Sequence, residues 1–220
     1  MTAQDWLRTS LKHTVAPAVR DAGFKGSGTT WRRTNESGDV AIVNVQSSFS
    51  STRENLRCVI NLSLAPKPWL DWLAHSLRRA PKNVSESHGL YRQRLHPSTA
   101  PKDHDVWWEI ASERDAANAA DDMVAALDSI GLPLLSRLLS RDQLWKQITE
   151  QDLGFVRGPH HAVFFKCAEA ILIADDGPSA RLDSVLHYLD EHTSERQRAS
   201  NQLLAQWVRE RAVAARPSSQ

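Results

Sequence analysis

Val40-Ala41-Ile42-Val43-Asn44-Val45-Gln46-Ser47-Ser48-Phe49, followed by Leu56-Arg57-Cys58-Val59-Ile60-Asn61-Leu62-Ser63-Leu64, is the stretch on which the fold turns. Both runs alternate residue by residue, as a strand does when one of its faces is buried. In the first, Ala41, Val43, Val45 and Phe49 lie opposite Val40, Ile42, Asn44, Gln46 and Ser48. In the second, Leu56, Cys58, Ile60, Leu62 and Leu64 lie opposite Arg57, Val59, Asn61 and Ser63. The reading is two strands, each apolar on one face and carrying amides on the other. A shorter run, Thr29 to Arg33, precedes them, and Asn35-Glu36-Ser37-Gly38-Asp39 has the residues of a hairpin loop. Together they form an antiparallel meander.

Outward from this meander the period changes. Residues 2–22 place Trp6, Leu7, Leu11, Val15, Ala18, Val19 and Ala22 at helical spacing behind a Thr2/Asp5 capping box, with Pro17 expected to kink the helix and Gly23 to stop it. After Pro66, the pattern Trp69, Leu70, Trp72, Leu73 and Leu77 predicts a short helix ending near Pro81. Residues 80–105, with Pro81, Pro97 and Pro101 and no periodicity, read as a long mobile loop. Val106 to Ile110 reads as a fourth strand, Arg114 to Ile130 as a helix closed by Gly131, and Leu132 to Glu150 as one or two more helices. Beyond Asp152 three helical runs are expected, Pro159–Ala174, Pro178–His192 and Ser194–Ala215, the first apolar nearly all round and therefore central. The fold class is α+β: an antiparallel sheet of about four strands packed by helices (1–151), then a C-terminal extension of about three helices (152–220).

The composition excludes several function classes. A hydrophobic fraction of 41% with 24% charged residues is that of a globular chain with a sizeable core. A net charge of +1 gives no overall bias toward phosphate backbones or anionic lipid, so any such preference must be local. Cys58 and Cys167 each have apolar neighbours and read as reduced, buried thiols. No stretch has the roughly 18–20 apolar residues of a membrane helix, and a cytoplasmic location is the expectation.

Gly23-Phe24-Lys25, Thr30-Trp31-Arg32-Arg33, Val43-Asn44-Val45-Gln46, Ile60-Asn61-Leu62, Trp107-Trp108-Glu109-Ile110 and Ile130-Gly131-Leu132-Pro133 occur in that order. Residues of about 5–150 thereby resemble a bacterial domain-of-unknown-function family, number four-three-zero-four of the DUF series. The resemblance implies an α+β fold with an antiparallel sheet and carries over no activity and no catalytic residue.

Candidate sites follow from the two strand faces. Asn44, Gln46, Arg57, Asn61 and Ser63 point away from the apolar side, where amides can bind a ligand or a partner's backbone, or be satisfied within the fold. Of eight tryptophans, Trp6, Trp69, Trp72, Trp145 and Trp207 fall on amphipathic helices and Trp108 on an apolar strand face. Trp31, beside Arg33, and Trp107 remain as surface candidates. Residues 75–104 are basic and 105–128 acidic, so a basic loop gripping nucleic acid competes with a solvated loop beside a solvated helix face. Asp183, His187 and Glu191 form a helical stripe without a metal-binding motif, and no Walker, GxSxG or GxGxxG motif occurs. The sequence therefore reads as a non-enzymatic protein-binding or immunity-like module acting through Trp31, Arg33, Asn44, Gln46, Arg57, Asn61 and Trp107, with no catalytic residue, metal or cofactor. The alternative is a nucleic-acid-associated protein or hydrolase using residues 75–104.

Overall fold

The computed structural model describes residues 1–101 and 104–215. They divide into two compact units: one of residues 1–64 and 85–140, the other of residues 65–84 and the chain from 141 onward. The expected division at 151 and 152 is thus displaced. The reason lies in the tryptophans: Trp69, Trp72 and Trp145 pack on the core of the C-terminal helices and take their segments with them.

The first unit is built on a sheet of six strands: β1 (Lys25–Ser27), β2 (Thr30–Thr34), β3 (Val40–Ser47), β4 (Leu56–Ala65), β5 (Tyr91–Leu95) and β6 (Trp108–Ile110). The order is β1-β2-β3-β4-β5, with β6 also on β4. The paired registers of β1 with β2, β2 with β3, and β4 with β5 and β6 are antiparallel, as the alternation predicts. Two strands exceed the expected four. β1 turns into β2 through Gly28, whose positive φ suits a tight hairpin, and Gly26 leaves no room for a Cβ, which would lie 2.3 Å from the Thr30 carbonyl oxygen. β5 corrects the reading of residues 80–105 as loop. β4 is ten residues long and shares its outer edge between two short strands: Leu56–Cys58 pair with β6, and Ile60–Leu64 with β5. Tyr91-Arg92-Gln93-Arg94-Leu95 carries two arginines on one face, so its alternation was masked by charge.

Helices cover the apolar face. α1 (Ala3–Ser10) starts at the predicted capping box, with Thr2 and Asp5 bonded reciprocally, and packs on α4 (Glu113–Ala126), which also meets β6. Both helices continue through a wide π turn, Leu11–Val15 before α2 (Ala16–Asp21) and Leu127–Gly131 before α5 (Leu132–Leu138). In each case a proline, Pro17 or Pro133, stands two residues past the turn. Proline has no N–H for the carbonyl four residues back and its ring crowds that carbonyl. Widening the turn lets the Ala16 and Leu132 N–H groups reach Leu11 and Leu127, five residues back, and accommodates the ring without breaking the helix. Gly131 therefore does not end its helix as expected. It sits where a Cβ would lie 2.9 Å from Leu95 Cδ1 and 3.3 Å from Leu62 Cδ1, so its smallness lets helix and sheet approach.

The second unit is helical: α3 (Lys67–Ser76), α6 (Arg141–Thr149), α7 (Ala162–Ile173), α8 (Ala180–His192) and α9 (Arg198–Ala214). α7 packs against the other four and is the central element, as its composition predicts. The three C-terminal helices lie within the predicted ranges, α7 and α9 each preceded by a short 3-10 turn. Trp72 and Trp207 meet at 5.5 Å between ring centres, and Arg211 on α9 joins Asp71 on α3 at 2.9 Å and Asp175 in the turn after α7. Among the described residues no single helix is long and apolar enough to cross a membrane.

Candidate functional site

The polar face of the sheet is an ordered network. Asn61, nearly fully buried on β4, donates from Nδ2 to Gln46 Oε1 at 2.8 Å and to Asn44 Oδ1 at 3.3 Å. Asn44 in turn donates to Thr30 Oγ1 at 2.9 Å and to the Thr29 carbonyl at 3.3 Å. On the other side, Arg94 of β5, directly opposite Asn61, donates from Nε to Asn61 Oδ1 at 3.4 Å. Its Nη1 donates to both carboxylate oxygens of Asp105, at 2.9 and 3.1 Å, and its guanidinium lies 5.2 Å from the centre of the Trp107 ring. Asp105 also accepts from Trp107 Nε1 at 3.3 Å. A continuous run of hydrogen bonds thus leads from the β2 hairpin across three strands to Trp107. Fully bonded amides of this kind fix the register and the positions of their neighbours.

The seven candidate residues separate on this network. Asn44 and Asn61 are brought together, and their bonds are used inside it. Gln46 is partly buried and accepts into the network through its carbonyl oxygen. Arg57 pairs with Glu109 directly across on β6 at 3.3 Å, both half to two-thirds exposed. Trp107 is half-buried, one side taken by Arg94. Trp31 as a surface residue is corrected: it pairs with Val43, shares the apolar face of the sheet and is fully buried, with Nε1 unpartnered among the described residues. Arg33 is on that same face, where it donates to Ser136 Oγ at 3.2 Å and to the Ala22 carbonyl at 3.5 Å, tying helix to sheet. Ser63 is buried, its Oγ in the space that a Cβ on Gly89 would fill.

Two further assignments change. Phe49 was expected on the apolar face of β3, but β3 ends at Ser47 and Phe49 is fully exposed. It stands in a loop held by bonds from Ser50 N to Ser48 Oγ and between Thr52 and Asn55, with Ser48 N on the Arg57 carbonyl. The signal for this in the sequence is the polar run Ser47-Ser48 before it and Ser50-Ser51-Thr52 after it, which interrupts the strand. The basic loop is also altered: Arg92 and Arg94 are strand residues, Arg94 is neutralised by Asp105, and Lys102 and Asp103 lie outside the described residues.

Beside Trp107 an open groove of about 570 Å³ runs along β6, between Pro97–Thr99 and α4. One guanidinium, Arg57, faces three carboxylates there: Glu109, Asp115 and Asp122. Burial raises the Asp122 pKa, but the hydrogen bonds from the Ser98 N–H at 3.0 Å and Trp108 Nε1 at 2.8 Å outweigh it and hold the group below its ordinary value. The groove is therefore acidic. Burial pushes the Cys58 thiol up to about 12 and Cys167 up to about 11, which keeps both as thiols at neutral pH. Both cysteines are free.

Comparison with known proteins bears on the first unit above all. Residues 15–137, more than half of the chain, match the family described as domain of unknown function DUF4304. The C-terminal helices α7, α8 and α9 lie beyond the match. No curated protein and no solved structure matches.

Proposed function

We propose, from the premise that the chain belongs to the domain-of-unknown-function family DUF4304, that its sheet unit is a protein-binding module. Its contact surface is the outward side of the polar face, with Phe49 and Trp107 as anchors and Gln46, Arg57 and Glu109 as the polar contacts around them. The observation that carries this reading is Phe49, a fully exposed aromatic side chain on a hydrogen-bonded loop. Exposing a phenylalanine costs on the order of 2 kcal/mol relative to burying it, a stabilisation that a partner covering it would recover. Large aromatic side chains ringed by polar groups are also the side chains that dominate binding energy at protein interfaces.

The amide network supports the same reading. It fixes Gln46 and Trp107 before a partner arrives, which lowers the entropy lost on binding. A toxin-neutralising, immunity-like role is one instance of such a module. The nucleic-acid reading has less support, because Arg94 and Arg57 already hold carboxylates and the groove beside them is acidic; it predicts oligonucleotide binding that weakens steeply with salt.

The test is affinity capture from the native lysate with the full chain and with the Phe49→Ser/Trp107→Ala variant. A partner retained by the parent and lost by the folded variant is the expected result. Capture of the same proteins by both would refute the assignment of this surface.

A further inference from the structure

The helical unit holds a second concave site, lined by α8, α9 and Thr193 between them. It is a half-enclosed pocket of about 430 Å³, within the range of about 300–1,000 Å³ usual for small-molecule sites. Its floor is apolar: Leu186 and Leu189 line it and are themselves buried. One end is closed where Asn201 Nδ2 donates to Thr193 Oγ1, tying the start of α9 to the end of α8.

The walls differ in sign. α8 contributes Asp183 and Asp190, and α9 contributes Arg198 and Arg209. The helices are joined by a short connection, so Asp190 lies toward the Arg198 end and Asp183 toward the Arg209 end. Among the described residues none of these four takes part in an ion pair within 4.0 Å, although both signs face one pocket. Other charges on the same helices do pair: Arg181 and Lys166 with Glu169, His187 with Glu191, Arg211 with Asp71 and Asp175. The pocket thus keeps two carboxylates and two guanidinium groups apart across an apolar floor.

We propose that this pocket binds a small zwitterion with apolar side chains, of the size of a dipeptide with free termini. Its ammonium group sits against one aspartate of α8, its carboxylate accepts from one arginine of α9 in the forked geometry that guanidinium favours, and its side chains cover Leu186 and Leu189. Neither a simple anion nor a simple cation uses both walls.

The probe is L-leucyl-L-leucine, titrated into the full chain and followed by amide chemical shifts. Saturable shifts confined to residues 183–209 are expected, with affinity reduced about tenfold or more when the amine is acetylated and again when the carboxylate is amidated, a tenfold loss being about 1.4 kcal/mol. Asp183→Asn/Asp190→Asn should mimic loss of the amine, and Arg198→Gln/Arg209→Gln loss of the carboxylate. These four side chains are exposed, and the capped peptides test the idea on the unaltered protein if a variant fails to fold. Absence of saturable shifts at millimolar peptide, or equal binding of the free and both capped forms, would overturn the proposal.

Discussion

At the scale of single residues, the fate of a side chain here depends on which face its strand turns inward. Asn61 and Trp31 exchange the roles their chemistry suggests: the amide is buried and internally bonded, and the indole is core. Removing the Asn61 side chain strips a donor from Gln46 and Asn44 and an acceptor from Arg94. Asn61→Ala should therefore cost about 1–3 kcal/mol in urea unfolding, the penalty for leaving buried polar groups unpaired. A loss below about 0.5 kcal/mol would mean that the network does not hold the sheet face together. Asp122 makes a prediction in pH. Its folded pKa lies below the ordinary 3.8, so its contribution to stability is complete well above that value and disappears as pH falls through the lower, folded value. The difference in unfolding free energy between the parent and Asp122→Asn should then be largest near pH 7 and shrink below about pH 4. A difference that stays constant across that range would contradict the hydrogen bonds from Ser98 and Trp108. The alternation in Val40–Ser47 and Leu56–Leu64 made the position of most of these groups readable from the sequence. The burial of Trp31 was not readable, because Thr29–Arg33 is too short and too polar to show which face is which.

At the scale of elements, the strands with an apolar face were legible and those without one were not. β3 and β4 declare themselves by a strict period of two, whereas β5 pairs with the edge of β4 and its own alternation is masked by Arg92 and Arg94. The π turns show the same dependence on context. Proline and glycine are read from sequence as helix breakers, yet here Pro17 and Pro133 are absorbed by wider turns, and Gly131 is needed for close approach. Gly131→Ala places a methyl group against the Leu95, Leu127 and Leu62 side chains at 2.9, 3.2 and 3.3 Å. Alanine gains about 1 kcal/mol in helix propensity, and overpacking a filled core costs about 1–3 kcal/mol. A net destabilisation of about 1 kcal/mol is expected by thermal or urea unfolding, and a stabilised variant would show that the leucines yield freely.

At the scale of the whole molecule, the chain does not divide in sequence order. Residues 65–84 belong with the helices after residue 140, because Trp69 and Trp72 lie against their core, Trp69 at 5.9 Å from Phe164 and Trp72 at 5.5 Å from Trp207. A fragment of residues 1–140 keeps α3 and loses what covers it. Such a fragment should bind more hydrophobic dye and self-associate more than the full chain, and Trp69→Ser/Trp72→Ser should relieve this; a fragment that behaves no differently from the full chain would count against the division. By itself the sequence determined the α+β class, the antiparallel meander, the C-terminal helices and the family, since all of these follow from local periodicity and from motifs in fixed order. Only the tertiary structure decided which tryptophans face water, that Phe49 is exposed, that the amides bond to one another, and that Asp183, Asp190, Arg198 and Arg209 converge on one pocket. The physical reason is that periodicity is a property of neighbours along the chain. Burial, pairing and charge convergence are set by residues far apart in sequence, whose contacts exist only once the chain has folded.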